Sequence, residues 1–293
     1  MNAKVATIFS HRTIPIVTKH KKEQIIGPLL EDRLGCTTLG FNDFDTDLLG
    51  TFSGERKRTL SPLDAALEKC KTAISLGGYD CAIASEGTFG HFPPMAFVPS
   101  DQELVVFYDE KYNFTVVGFA HSYETNAGEE IAADWQSLQQ IARDFGFPES
   151  WVILKEPTDP SDLNYQPGIW KDIDSWDKLH HLWTSIRHDQ PDTQLIITPD
   201  FRAMANPLRR KVIAEATTDL IKHLTTLCPH CEMPGFKPTK LVRGLPCCFC
   251  GLPTDGILAQ VYICAHCSYE EQKKEPAHGK DCQDPAYCQF CNP

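Results

Sequence analysis

No stretch of the 293 residues approaches the roughly 20 consecutive apolar residues that cross a bilayer. The opening MNAKVATIFSHRTIPIV also lacks the long apolar run of a secretory signal. The expectation is a soluble, cytoplasmic chain with no membrane partner. Neither GxGxxG nor a Walker A sequence occurs, which excludes a dinucleotide or P-loop site of the usual kind. His121-Ser122 and Ser85-Glu86-Gly87 offer a nucleophile and a base, but no G-x-S-x-G elbow accompanies them, so a hydrolase triad ranks low. Basic excess is missing as well: the net charge is -11. From residue 228 onward six Lys/Arg face seven Asp/Glu, and a zinc held by four thiolates adds further negative charge. A nucleic-acid reader normally carries a basic footprint, so that partner is disfavoured.

Cysteine is scarce in the first 227 residues, where Cys36, Cys70 and Cys81 sit singly among apolar neighbours and read as small buried hydrophobes. The other ten of the 13 follow, and eight of them form four Cys-x-x-Cys pairs: Cys228/Cys231, Cys247/Cys250, Cys264/Cys267 and Cys288/Cys291. Two thiolates two residues apart grip a metal from a tight knuckle, so four knuckles supply two tetrahedral four-cysteine Zn2+ sites. Such sites are closed and build structure rather than chemistry. The clustering reads as metal usage in a reducing compartment, since a disulfide framework would spread its cysteines. GLPCCFCGLPTDGILAQVYICAHCSYEEQKK has the grammar of a zinc ribbon. The expected pairing is therefore Cys247/Cys250 with Cys264/Cys267 and Cys228/Cys231 with Cys288/Cys291, although spacing leaves the sequential and interleaved pairings open. Cys248 and Cys282 are expected to be free thiols, and His230 and His266 to face solvent.

Along the chain, VATIF (5–9) reads as a short strand followed by a loop containing HRTIPIVTKHKKEQ. A helix from about Lys22 and a strand over Cys36 to Phe41 come next. Ser61, Pro62 and Asp64 mark an explicit helix start, and Gly77-Gly78 its end. CAIAS (81–85) reads as a central strand that stops in SEGTFGH, and ELVVFYD and FTVVGFAH form a hairpin. Helices follow on the Ile131/Trp135/Leu138 and Trp176/Leu179/Trp183 patterns, with strands at WVILK and QLIIT and a last helix from Leu208 to about Leu227. This predicts an α/β domain over 1–225, a mixed central sheet flanked by helices, and a zinc-ribbon-like domain over 226–293.

Candidate chemistry lies at predicted strand ends, where open α/β sheets place ligands. One cluster precedes the first long helix, with Lys19, Lys22 and Glu23. The glycine-punctuated DFDTDLLGTFSGERKR forms a second, with Asp45 and Arg56. Ser85 and Glu86 form a third, joined by Arg202, Asn206 and Arg209 from the last strand end. Lysines near a helix start suit a phosphate, and carboxylates beside them suit a bridging Mg2+. Glu86 is the leading catalytic candidate, because a carboxylate after AIAS has little packing reason to be there.

TKHKKE, DTDLLGTFSGE with SPLDAALEKCKTA, ASEGTFG, TPDFRAMANPLRRK and CPHCEMPGF…GLPCCFCGLPT…CAHC…YCQFCNP together resemble an uncharacterised bacterial domain-of-unknown-function family. That resemblance implies a zinc-ribbon-like C-terminus and brings no activity with it. The order TKHKKE, the Ala65-Ala66 to Lys69/Lys71 helix, then ASEG is also similar in layout to inosine-triphosphatase-like pyrophosphatases. His20 stands where that family has an Asn. By that likeness Lys19 and Lys22 would hold phosphate and Glu86 a metal. Two functions follow as expectations: a metal-dependent hydrolase of a phosphorylated small molecule or nucleotide, or a binding or scaffold protein whose zinc module docks a protein.

Overall fold

The computed structural model describes residues 3–44, 60–92, 95–157, 167–190, 193–276 and 279–293. Its first sheet has the order β2-β1-β3-β4-β5, from β1 (Thr13–Val17), β2 (Thr37–Phe41), β3 (Cys81–Phe92), β4 (Met95–Asp109) and β5 (Phe114–Ser122). β1 runs parallel to β2 and β3, and the β3-β4 and β4-β5 pairs are antiparallel, so the sheet is mixed as expected.

Helices α1 (Ala3–Phe9), α2 (Glu23–Leu34) and α6 (Pro207–Thr225) cover one face, where Ile14, Ile16, Ile26, Leu30, Ile83, Val105, Phe107 and Leu220 form the main core. Helix α3 (Pro62–Gly77) covers the other face with Ala66, Cys70 and Ile74 against Ala82, Ala84 and Val106. Its start is the one read from the sequence: Ser61 Oγ accepts the Asp64 backbone N–H at 3.1 Å, and Pro62 spends no donor in the first turn. α6 lies so close on β5 that a Cβ at Gly118 would come 2.3 Å from the Ala216 carbonyl oxygen and the Leu220 nitrogen. Both are backbone atoms that cannot yield, so glycine is required there.

A second sheet, order β6-β9-β7-β8, is antiparallel throughout: β6 (Glu130–Ala132), β7 (Val152–Lys155), β8 (Ile169–Ile173) and β9 (Leu195–Pro199). It packs its own core with α4 (Trp135–Asp144) and α5 (Trp176–Asp189), built on Leu138, Leu154, Ile173, Leu179, Trp183 and Ile197. From β9 the chain returns to the first sheet, where Phe201 stacks on Phe89 with ring centroids 4.1 Å apart. A third sheet, β10 (Phe236–Arg243), β11 (Ile257–Cys264) and β12 (Glu270–Lys273), forms the cysteine-rich module.

Several expectations are corrected. VATIF is the helix α1, because Val5, Ile8 and Phe9 bury one helical face, and five apolar residues alone cannot tell the two periods apart. The segment read as loop contains β1, in which Pro15 argued against a strand. β3 does not stop at Ser85 but continues through SEGTFGH to Phe92, paired residue by residue with β4. Ile131 belongs to exposed β6 rather than to the α4 stripe. The α/β layer read as one sheet is two, because β8 and the strands around it pair among themselves.

Candidate functional site

Each of the first three knuckles is built by the same local bonds. The first cysteine's N–H donates to a carbonyl five residues on, as Cys228 N to Met233 O, Cys247 N to Leu252 O and Cys264 N to Tyr269 O, each at 2.9 Å. Glu232, Gly251 and Ser268, each just after a knuckle's second cysteine, take left-handed backbone. Backbone N–H groups also point at sulfur: His230 N to Cys228 Sγ, Phe249 N to Cys247 Sγ and His266 N to Cys264 Sγ, each at 3.4 Å. Such donors favour the thiolate. Accordingly Cys267 is pushed down to about 6, first by a backbone bond around Tyr269 and then by His230, and Cys247 down to about 7 by a backbone bond around Cys250. Cys231 is pushed up to about 12 by desolvation and by the neighbouring Cys267 thiol.

The knuckles assemble as Cys228, Cys231, Cys264, Cys267 and as Cys247, Cys250, Cys288, Cys291, each set with its sulfurs within 4.8 Å of one another. Across the knuckles the sulfurs lie 3.8 and 3.6 Å apart in the first set (Cys228–Cys267, Cys231–Cys264) and 3.9 and 3.7 Å apart in the second (Cys247–Cys291, Cys250–Cys288). A tetrahedral ion with Zn–S bonds of about 2.3 Å needs edges of about 3.8 Å, so both sets fit one such ion. The pairing is thus the interleaved one, not that expected from the ribbon grammar. The reason is the β10-β11 hairpin: Phe236 pairs with Cys264, which sets the first knuckle beside the third, while Cys247/Cys250 lie at the hairpin's other end. Two knuckles flanking an extended eight-residue strand cannot reach one ion.

Cys248 and Cys282 are also corrected: they form a disulfide rather than two free thiols. Cys248 N donates to Gln283 O at 2.9 Å and Gln283 N to Pro246 O at 2.8 Å, a short parallel bridge that lays the two cysteines side by side. His230 and His266 are exposed, as read from the sequence, although His230 Nδ1 lies 3.8 Å from Cys267 Sγ.

In the α/β body the strand order 2-1-3 reverses between β1 and β3, the switch point at which open sheets admit ligands beyond the strands' carboxyl ends. β1 stops pairing at Val17 and Ala84, and Ser85 is the next residue of β3. Here Lys22, buried at the start of α2, donates from Nζ to Ser85 O at 2.9 Å and to Ser85 Oγ at 3.0 Å. Desolvation, followed by the charge of Arg209, brings Lys22 down to about 7. On the same face Glu103 Oε1 accepts from Arg209 Nε at 2.6 Å, and both side chains are fully buried. Arg209 Nη1 also donates to the Phe201 carbonyl oxygen. A Cβ at Gly87 would stand 2.2 Å from Glu103 Oε1 and 2.7 Å from Arg209 Nη2, so the ion pair occupies the space a side chain would need. Asp101, also buried, is pushed up to about 8 by desolvation and by Glu103. Asp101 Oδ1 and Glu103 Oε2 have no hydrogen-bond partner among the described residues.

Of the predicted residues, Lys22, Ser85 and Arg209 therefore converge. Glu86 points to the α3 side, where Lys69 Nζ donates to it. The groups of three or more metal-ligating side chains among the described residues are the two cysteine sets, and neither includes the carboxylates read for Mg2+. Lys19 is exposed and Glu23 half-buried beside Gly40. Arg202 is clamped by Asp200 and Asp172. Asn206 caps α6 by accepting Arg209 N at 3.1 Å and donates to Asn126 at 3.0 Å. Asp45 and Arg56 lie outside the described residues. Lys69, Asp101 and Glu103 were not anticipated. The signal was there: Asp101 and Glu103 share the strand parity of buried Val105 and Phe107.

Fold and cysteine sets define a mixed α/β protein carrying two four-cysteine groups that could each hold a metal ion. The chain belongs to the domain of unknown function family DUF6671, whose profile matches residues 69–293, about three quarters of its length. That span holds Ser85, Asp101, Glu103, Arg209 and all eight paired cysteines, but not Lys22. No curated protein matches the sequence. No helix among the described residues is long and apolar enough to cross a membrane.

Proposed function

We propose that the chain is a zinc protein in which residues 226–293 form a module held by two structural Zn2+ ions and dock a protein partner, while residues 1–225 form the body. The observation that carries the zinc assignment is the pair of four-sulfur sets, each within 4.8 Å, with contacts across the knuckles of 3.6–3.9 Å. Closed tetrathiolate sites have no open position for substrate. The docking assignment is supported by the distal set, whose knuckles carry Phe249, Leu252, Tyr287 and Phe290 exposed by 83, 44, 74 and 58%. Large apolar side chains held out on a rigid knuckle are binding material, not core. The segments that carry these side chains, 245–256 and 279–293, hold one basic residue, Lys280, against Asp255, Asp281 and Asp284, with Arg243 beside Asp255. On this acidic excess the partner is read as a basic protein segment rather than a nucleic acid. Eight ligand thiolates favour reducing surroundings such as the cytoplasm, while the Cys248–Cys282 disulfide favours the opposite, so the cytoplasmic assignment rests on the thiolates alone.

The test is capture of a partner by the zinc-loaded chain compared with Phe249→Ser/Phe290→Ser, alongside metal analysis. Two Zn2+ per chain and capture lost in the variant support the reading; one ion, or equal capture, refutes it. A second reading, hydrolysis of a phosphorylated small molecule or nucleotide in the body, is favoured by the convergence of Lys22, Lys69 and Arg209 around Ser85-Glu86-Gly87. A screen of nucleoside triphosphates with Mg2+ tests it. Absence of turnover, or equal turnover by Glu86→Gln, removes it.

A further inference from the structure

The polar cluster at the β1/β3 switch point, taken by the second reading as a phosphate site, holds a side-chain pair suited to a different chemistry. We propose that Ser85 is a nucleophile with Lys22 as its general base, and that the site hydrolyses a small, uncharged carboxylic ester or thioester. Geometry carries this: Lys22 Nζ stands 3.0 Å from Ser85 Oγ, within the reach a base needs to take the hydroxyl proton. A second bond, to Ser85 O at 2.9 Å, fixes the amine against the same residue. The Thr18 hydroxyl accepts the backbone N–H groups of His20 at 3.1 Å and Lys22 at 3.3 Å, which sets the turn that delivers Lys22.

A lysine serves as a base only when its amine is neutral, and burial supplies that condition, bringing Lys22 down to about 7. The charged and titratable groups facing it are Glu86 on β3, Asp101 and Glu103 on β4, Arg209 on α6 and Lys69 on α3; acids and cations oppose one another, and desolvation is the largest influence.

The surroundings select the substrate. Glu103 Oε2 is a buried carboxylate oxygen without a partner among the described residues, so the site has unused capacity for a hydrogen-bond donor carried by the acyl group. Ser85 is only 3% exposed, so the proposal requires a small substrate and confines deacylation to single water molecules rather than bulk solvent. In the reaction Ser85 Oγ bonds to the carbonyl carbon as its proton passes to Lys22 Nζ. The bond to the leaving alkoxide or thiolate then breaks, and Lys22 returns the proton to it. Water attacks the acyl-serine, giving a proton to Lys22 that is handed back to Ser85 Oγ. The net change is ester plus water to acid plus alcohol, with no redox partner.

The experiment uses the full zinc-loaded chain, a fluorophosphonate probe read by intact mass and peptide mapping, and p-nitrophenyl acetate turnover. The expected result is one adduct on Ser85, lost together with turnover in Ser85→Ala, and a labelling rate at least about 100-fold lower in Lys22→Met. Should Lys22→Met fold poorly, the pH profile of the unmodified chain decides. Its labelling rate rises through about pH 7 and levels off above, whereas a lysine of ordinary basicity would keep it rising towards pH 10. No adduct, an adduct on another residue, equal labelling by a folded Lys22→Met, or a profile without the step near 7 overturns the assignment. Because none of these outcomes depends on Glu86 or on partner capture, the pair stands or falls apart from both earlier readings.

Discussion

Replacing Gly87 by alanine places a methyl where the buried Glu103–Arg209 pair lies, 2.2 Å from Glu103 Oε1 and 2.7 Å from Arg209 Nη2. A flexible exposed side chain would swing away. These two cannot do so cheaply, because both are fully buried and Arg209 is held at once by Glu103 and the Phe201 carbonyl. The methyl therefore separates the ions or shifts β3 from its β4 pairing at Gly87–Glu103. Breaking a buried pair while leaving a charge uncompensated costs about 3–5 kcal/mol. At an m-value of roughly 2 kcal/mol/M, the urea midpoint of the body falls by about 1.5–2.5 M. Glu103→Gln keeps the shape but strands the guanidinium charge, and a loss of the same order is expected. The informative comparison is the double-mutant cycle. In a Glu103→Ala background the nearest clash is gone, so Gly87→Ala costs clearly less than it does alone. A loss below about 1 kcal/mol for Gly87→Ala, or an equal loss in both backgrounds, refutes the reasoning.

Stripping metal with a strong chelator is expected to unfold residues 228–293 and leave the body folded, as followed by hydrogen exchange; loss of both in one cooperative transition would show that they are not separable. Counted in denaturant with chelator, the chain shows eleven thiols before reduction and thirteen after, the difference being Cys248–Cys282; thirteen in both states would mean that the bond is absent. Asp101, with a folded-state value of about 8, keeps a proton that the unfolded chain releases above about 4, so its contribution is complete below about 4 and lost as the pH rises through 8. Asp101→Asn, neutral at every pH, should gain stability over the unmodified chain at pH 9 and not at pH 5; an equal difference at both pH values, measured by thermal melts, would count against a buried acid there.

Helices with explicit punctuation or a long apolar stripe were legible from sequence: Ser61-Pro62 and Gly77-Gly78 bound α3, and the stripe from Leu208 marked α6, whose cap, Asn206, was read instead as a binding residue. Short apolar runs were not, since VATIF satisfies either period and Pro15 conceals β1. The cysteine chemistry was readable because a knuckle is a local object. Its pairing was not, because pairing depends on where a hairpin brings distant residues, and Phe236 opposite Cys264 is a tertiary fact. The switch-point cluster was half legible. Lys22, Ser85 and Arg209 stood out as polar residues near strand ends, but the ion pair of Glu86 with Lys69 was not readable, because Lys69 comes from a helix on the other face. Asp101 and Glu103 were hidden by lying inside a strand twice as long as its apolar part.

The interleaved arrangement also fixes an order of birth. As the chain leaves the ribosome, the proximal group has all four of its sulfurs once Cys267 has emerged, whereas the distal group waits for Cys288 and Cys291. A message truncated between those points, or a protease trimming the tail, would yield a chain with its inner clasp shut and its outer one permanently open.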